Sequence, residues 1–292
     1  MRRSFALLTL ACLASPALAD FSLTSDVPGL DLVALATLPA APKDRGETEF
    51  CAHLFVETPT TPGGQNAATK GWHVTSEAPF GDLTAVSFVG GAIPATSGTC
   101  ELTDGNIGLY SGSQLLALVY SPKADTLRIG RIRNFGEGLR ILSGEVLPGT
   151  VADLVRAGDT ISLTAAAAEE LVCNATAIVP GIEGQPIDKA RKLLLPAGWT
   201  PVPGDPAQQA LGWAGDLAAA GVPEVDDCSG TGFAFCGFRY DGPAGVLFVT
   251  TAGEGGEDGS LPTVSSYDVD ARQIAPEDGR LTSEGLRNLE CV

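Results

Sequence analysis

The chain has 292 residues, with 35 acidic against 18 basic side chains and a formal charge of −17 at pH 7. That balance excludes nucleic acid and anionic membrane surfaces as natural partners, since both are gripped by a basic face. No C-x-x-C spacing occurs and His53 and His73 are the only histidines, so neither a thioredoxin-like redox motif nor a zinc centre is expected, and no cofactor is called for.

Taken in chain order, the first 19 residues read as a secretory signal peptide. Arg2 and Arg3 precede an apolar run from Phe5 to Leu13, and Ala17-Leu18-Ala19 supplies a small-residue cleavage site before Asp20. The run is short for a membrane span, which needs about 20 residues. Cys12 is a poor lipid-attachment site after Thr9-Leu10-Ala11, and no later stretch is apolar enough to cross a bilayer. The expectation is an exported protein, periplasmic or extracellular, beginning at Asp20. In such a compartment the remaining cysteines, Cys51, Cys100, Cys173, Cys228, Cys236 and Cys291, read as disulfide partners. Spacing alone leaves all their pairings open. Cys51–Cys100 is the simplest guess for the first half.

Residues 20–175 predict a β-rich domain, a sandwich or small barrel. Leu83–Val89, Gln114–Tyr120, Thr126–Phe135 and Leu139–Leu147 are strand candidates, and Gly136-Glu137-Gly138 reads as a hairpin loop. Thr58–Gly64 is a Pro- and Gly-marked loop. Ala165–Leu171 has the composition of a short helix.

The pattern changes over residues 176–292, giving an α+β chain overall. Ile187, Ala190 and Leu194 share one helical face, Pro186 suits the first helical position, and Gly198 suits a helix stop. Pro196 should end the helix near Leu194 or Leu195. Pro206–Ala219 reads as a second helix with Asp205 as cap and Gly221 as stop. The stretch VPGIEGQPIDKARKLLLPAGWTPV at Val179–Val202 resembles the opening of a PASTA module, through Val179-Pro180, Ile182, Gly184, Ala190, Leu194, Ala197-Gly198 and Trp199. The match spans about 24 residues, and Pro203–Asp227 then intervenes where the family runs straight into strands. The resemblance implies binding of cell-wall fragments, with Trp199 as a contact.

CSGTGFAFCGF at Cys228–Phe238 poses a choice between a cofactor loop and a stapled hairpin. Phe235 stands where a third glycine would be needed, and the strand and helix that should flank a dinucleotide loop are in the wrong order. The stapled hairpin is preferred: Cys228 bonds Cys236, Asp241–Gly245 is a turn, and Val246–Thr251 is the return strand. Cys173–Cys291 follows by elimination.

No histidine stands in a catalytic motif, and Asp226-Asp227 and Glu254–Asp258 lack EF-hand spacing. Arg128, Arg131, Arg133 and Arg140 cluster against the acidic background and are candidates for an anionic ligand. Pairing with the chain's own carboxylates is the plainer alternative. The sequence therefore reads as a non-catalytic envelope protein that binds cell-wall fragments or a periplasmic partner. The alternatives are a hydrolase using dispersed carboxylates or a histidine, and a secreted inhibitor or assembly factor.

Overall fold

The computed structural model describes residues 21–46, 48–123, 129–173, 176–210, 212–230, 232–256 and 258–271. The signal-like segment, Arg128 and Cys291 lie outside the described residues.

The first half is almost all strand. β1 (Ser22–Ser25) and β2 (Asp31–Ala34) precede helix α1 (Pro62–Thr69). There follow β3 (His73–Phe80), β4 (Leu83–Val89), β5 (Gly91–Pro94), β6 (Cys100–Thr103), β7 (Asn106–Ser111) and β8 (Gln114–Tyr120). β9 (Arg131–Phe135), β10 (Gly138–Leu142), β11 (Thr150–Ala157) and β12 (Thr160–Thr164) complete it. Two expected strands, β4 and β8, have the bounds their apolar runs suggest. β10 stops earlier than its apolar run suggests, at Leu142, before Ser143-Gly144.

Ten of these strands form two open five-stranded sheets rather than a closed barrel, in the orders β1-β12-β11-β10-β9 and β2-β8-β7-β4-β3, and β5 pairs with β6 apart from them. Among the described strands, β1 and β12 alone pair in parallel. The sheets face each other across a buried core that includes Phe80, Ile107, Leu109, Ile132, Leu139, Ile141, Leu154 and Leu163. At one margin β3 grips β9 through side chains: Thr75 Oγ1 donates to the Gly130 carbonyl at 2.6 Å, and Ser76 Oγ accepts from the Ile132 amide at 3.0 Å. Helix α1 starts at Thr61, whose hydroxyl accepts from the Gly64 amide, with Pro62 in the first turn. It covers a second core around Trp72, Phe88 and Tyr110. The Cys51–Cys100 disulfide forms and sits in a small core beside Val89, Ala92 and Leu102.

The second half opens on a two-stranded ribbon, β13 (Glu169–Val172) with β14 (Ala177–Pro180), followed by helix α2 (Ile187–Leu194). β15 (Thr200–Pro201), helices α3 (Pro206–Gln209) and α4 (Gly212–Ala219), β16 (Val225–Cys228), β17 (Cys236–Gly242), β18 (Gly245–Ala252) and β19 (Thr263–Ala271) follow. β15-β17-β18-β19 make one sheet, with β16 also on β17. Its core gathers Ile187, Ala190 and Leu194 from one face of α2 with Trp199, Phe238, Tyr240 and Leu247.

Several local expectations are corrected here. The loop expected over Thr58–Gly64 ends at Thr61, because Pro62 opens α1. The helix expected at Ala165–Leu171 is instead a bend leading into β13; contacts to the neighbouring sheet override alanine's helical preference. Pro186 is the cap residue of α2, with ψ 142°, not its first helical residue. The second helix is two short ones, because Gly212 takes φ +58°, outside a right-handed helix. Asp205 does cap α3, accepting from the Ala207 amide at 2.8 Å.

The hairpin β17–β18 turns through Pro243-Ala244, and Cys228–Cys236 is bonded. β17 begins only at Cys236, so Phe233 and Phe235 lie in the loop before it. Cys173 is disulfide-bonded as well. No helix among the described residues is long and apolar enough to cross a membrane.

Candidate functional site

The arginine cluster leads to a dense polar network on the outer face of the first-half sheet. In β9 the side chains alternate: Ile132 enters the core, while Arg131 and Arg133 leave the opposite face. β10 pairs with β9 so that Arg140 stands directly across from Arg133, and β11 sets Asp153 opposite Arg140. One row of the outer sheet face is thus Arg133–Arg140–Asp153. The bend at Ala167 and the ribbon β13–β14 lie over it.

Each charge in that row is matched. Arg140, 4% exposed, makes a two-point contact to Asp153, Nε to Oδ1 at 2.8 Å and Nη2 to Oδ2 at 3.0 Å. Asp153 also accepts from the Ala167 amide at 2.7 Å, and Arg140 donates to the Ala167 carbonyl at 3.0 Å. The guanidinium lies 3.5 Å from the Phe135 ring centre. Arg133 forks onto Glu170 at 2.7 and 3.0 Å, and Tyr267 of β19 donates to the same carboxylate. Burial works against the Arg133 charge, but the Glu170 hydrogen bonds outweigh it and hold the guanidinium above the ordinary arginine value. Burial, and then the Glu170 charge, push the Tyr267 phenol up. Arg133–Glu170–Tyr267 is therefore a rivet between the first-half sheet and the second half, Arg140–Asp153 is a pair within the sheet, and both arginines are spent internally. Arg131 is half-buried, and burial lowers its pKa from the ordinary arginine value.

Beside the rivet the seam opens into two hollows. One, of about 340 Å³, is walled by Leu147, Pro148, Thr150, Ala252 and Val264, with Glu183 on its edge. The other, of about 160 Å³, lies toward Arg140, Glu170 and Tyr267 and shares Thr150 and Glu183. Glu183 accepts a hydrogen bond from Thr150 Oγ1. Among the described residues it has no ion-pair partner.

The other sequence candidates fall elsewhere. Trp199 is fully buried, and its indole N–H donates to the Ile178 carbonyl at 2.7 Å, so as placed it is a core residue. His53 is exposed on a 3-10 turn after Cys51. The His73 ring stacks on Phe55 at 4.4 Å, with Nε2 buried and unpartnered. No group of three or more His, Cys, Asp or Glu among the described residues is placed to hold a metal.

Sequence reasoning missed Asp153, Glu170, Glu183, Thr150 and Tyr267. A signal for Asp153 was present: TVADLVRA carries a lone carboxylate in the middle of its apolar stretch Val151–Val155. Glu170 was hidden by the helical reading of its segment. Comparison of the chain with protein-family models, curated proteins and solved structures gives no significant match.

Proposed function

We propose that this chain is an exported, non-catalytic binding protein of the bacterial envelope, and that the seam beside the Arg133–Glu170–Tyr267 cluster is its binding site. The observation that carries this is the hollow of about 340 Å³ between the halves, mostly apolar and walled by residues of both. The signal-like leader and the disulfides support export. The strand, helix and glycine stop over Val179–Val202 support a divergent PASTA-like module and, with it, cell-wall fragments as the ligand. Under that reading the α+β division, expected near residue 175, falls instead at the start of β13, because β13 pairs with β14.

Co-sedimentation of the oxidised chain from Asp20 onward with purified peptidoglycan, at two salt concentrations, tests the proposal. Retention at both salts that is lost on Thr150→Trp, which fills the hollow, supports it. Retention indifferent to Thr150→Trp places binding elsewhere, and no retention removes cell-wall fragments as the ligand. Trp199→Ala is unsuitable as a probe because it hollows the core.

A further inference from the structure

The charge of the seam differs from what the arginine cluster suggests. Arg133 and Arg140 are saturated by Glu170 and Asp153, each through two hydrogen bonds. Glu183 and the exposed Glu169 are the carboxylates left over among the described lining residues, and only Glu183 lines both hollows. It stands where the two hollows meet, takes one hydrogen bond from Thr150, and has no cation within ion-pair distance among the described residues. Arg133 and Tyr267 both feel its charge. Next to it the larger hollow is walled by Leu147, Pro148, Ala252 and Val264. A carboxylate beside an apolar wall suits a positive head on a hydrocarbon stem. It disfavours an anion, which would meet Glu183 while Arg133 and Arg140 are already paired.

We propose that the hollow takes a primary ammonium group on a short apolar stem, with Glu183 as counter-ion. The stem lies on Leu147 and Val264. The head replaces water at Glu183 and leaves Thr150 in place on the second oxygen. This rests on the seam being the binding site. Two sources carry such chemistry, a free alkylamine and the lysine-type side chain of a peptide.

The test is a titration of the oxidised chain from Asp20 onward, followed by backbone amide NMR shifts of Gly149, Thr150, Gly184 and Val264. The probes are n-butylammonium chloride, n-butanol, sodium butyrate and the peptide acetyl-Gly-Lys-Gly-amide. The ammonium probe should shift these amides saturably, with butanol and butyrate at least about ten-fold weaker, the scale of a charge-assisted contact. Glu183→Gln should weaken the ammonium about ten-fold or more while the remaining spectrum stays native. Thr150→Val, which leaves the carboxylate in place, should retain binding. Tighter binding of the peptide than of butylammonium identifies a peptide source, and the reverse a free amine. Equal shifts from butanol and butylammonium, or binding indifferent to Glu183→Gln, overturn the proposal. Peptidoglycan retention with no ammonium response sinks the amine assignment alone. An ammonium response without retention sinks the cell-wall reading alone.

Discussion

At the residue scale, Trp199 and Gly242 decide each other. The indole packs so closely over the β17 turn that a Cβ on Gly242 would lie 2.2 Å from the ring. The indole N–H also satisfies the Ile178 carbonyl of β14, joining α2's end, the ribbon and the hairpin. Gly242→Ala should therefore cost about 1–3 kcal/mol by overpacking. Trp199→Phe should cost a comparable amount through the unpaired carbonyl and lost volume. Urea denaturation of each variant measures this, and a Gly242→Ala midpoint equal to wild type would contradict the packing. His73 gives a pH signature. Burial first, and then the Arg45 guanidinium, hold it below the ordinary histidine value. The unfolded chain thus binds the proton more readily than the folded one. Stability should be fully present above about pH 6.5, the unfolded histidine value, and fall as pH drops through it. His73→Phe keeps the stack on Phe55 and removes the titration. Urea midpoints at pH 7.5 and 5.5 should converge in that variant, and an unchanged pH slope would exonerate His73.

At the element scale, the two described disulfides close loops of very different length, 49 and 8 residues apart in sequence. Loop-closure entropy assigns about 4 kcal/mol to Cys51–Cys100 and about 2.5 kcal/mol to Cys228–Cys236. The paired Cys51→Ala/Cys100→Ala variant should accordingly be the less stable of the two double variants in urea, and the opposite order would mean native packing outweighs chain entropy at these sites. Much at this scale was legible in the sequence. β4 and β8 carry mostly apolar runs and appear with the expected bounds, and α2 shows its buried face through Ile187, Ala190 and Leu194. What was not legible depended on distant partners. Ala165–Leu171 has helical composition, yet Asp153 takes the Ala167 amide and Arg133 takes Glu170, and those contacts draw the segment onto the sheet. Pro206–Ala219 broke at Gly212, whose backbone freedom a composition-based reading treats only as a small penalty. The candidate site was half legible: the arginines pointed to the right face, but their partners come from β11, β13 and β19, which no local pattern joins.

At the scale of the whole molecule, the two halves meet through polar rivets more than through shared apolar core. The large cores of the halves are separate sets of residues. Arg133 reaches from β9 to Glu170 of β13 and Tyr267 of β19, and this contact is well shielded on the carboxylate side and about one-third exposed on the arginine side. Removing the arginine alone leaves Glu170 charged, mostly buried and held only by Tyr267. A fully buried pair broken in this way loses several kcal/mol, and the exposure of Arg133 reduces that to about 2 kcal/mol here. Arg133→Met should therefore loosen the seam, and limited proteolysis near residues 165–170 should quicken. Adding Glu170→Leu removes the stranded charge, so the double variant should regain most of the lost stability. Trp72 reports the first half, and Trp199 with Trp213 the second. Urea unfolding of Arg133→Met, followed by tryptophan fluorescence in a Trp72→Phe background that leaves Trp199 and Trp213 and by far-UV circular dichroism of the whole chain, shows whether both halves still melt together. A double variant less stable than Arg133→Met would mean that the ion pair itself, and not the burial of an unmatched carboxylate, sets the strength of the seam.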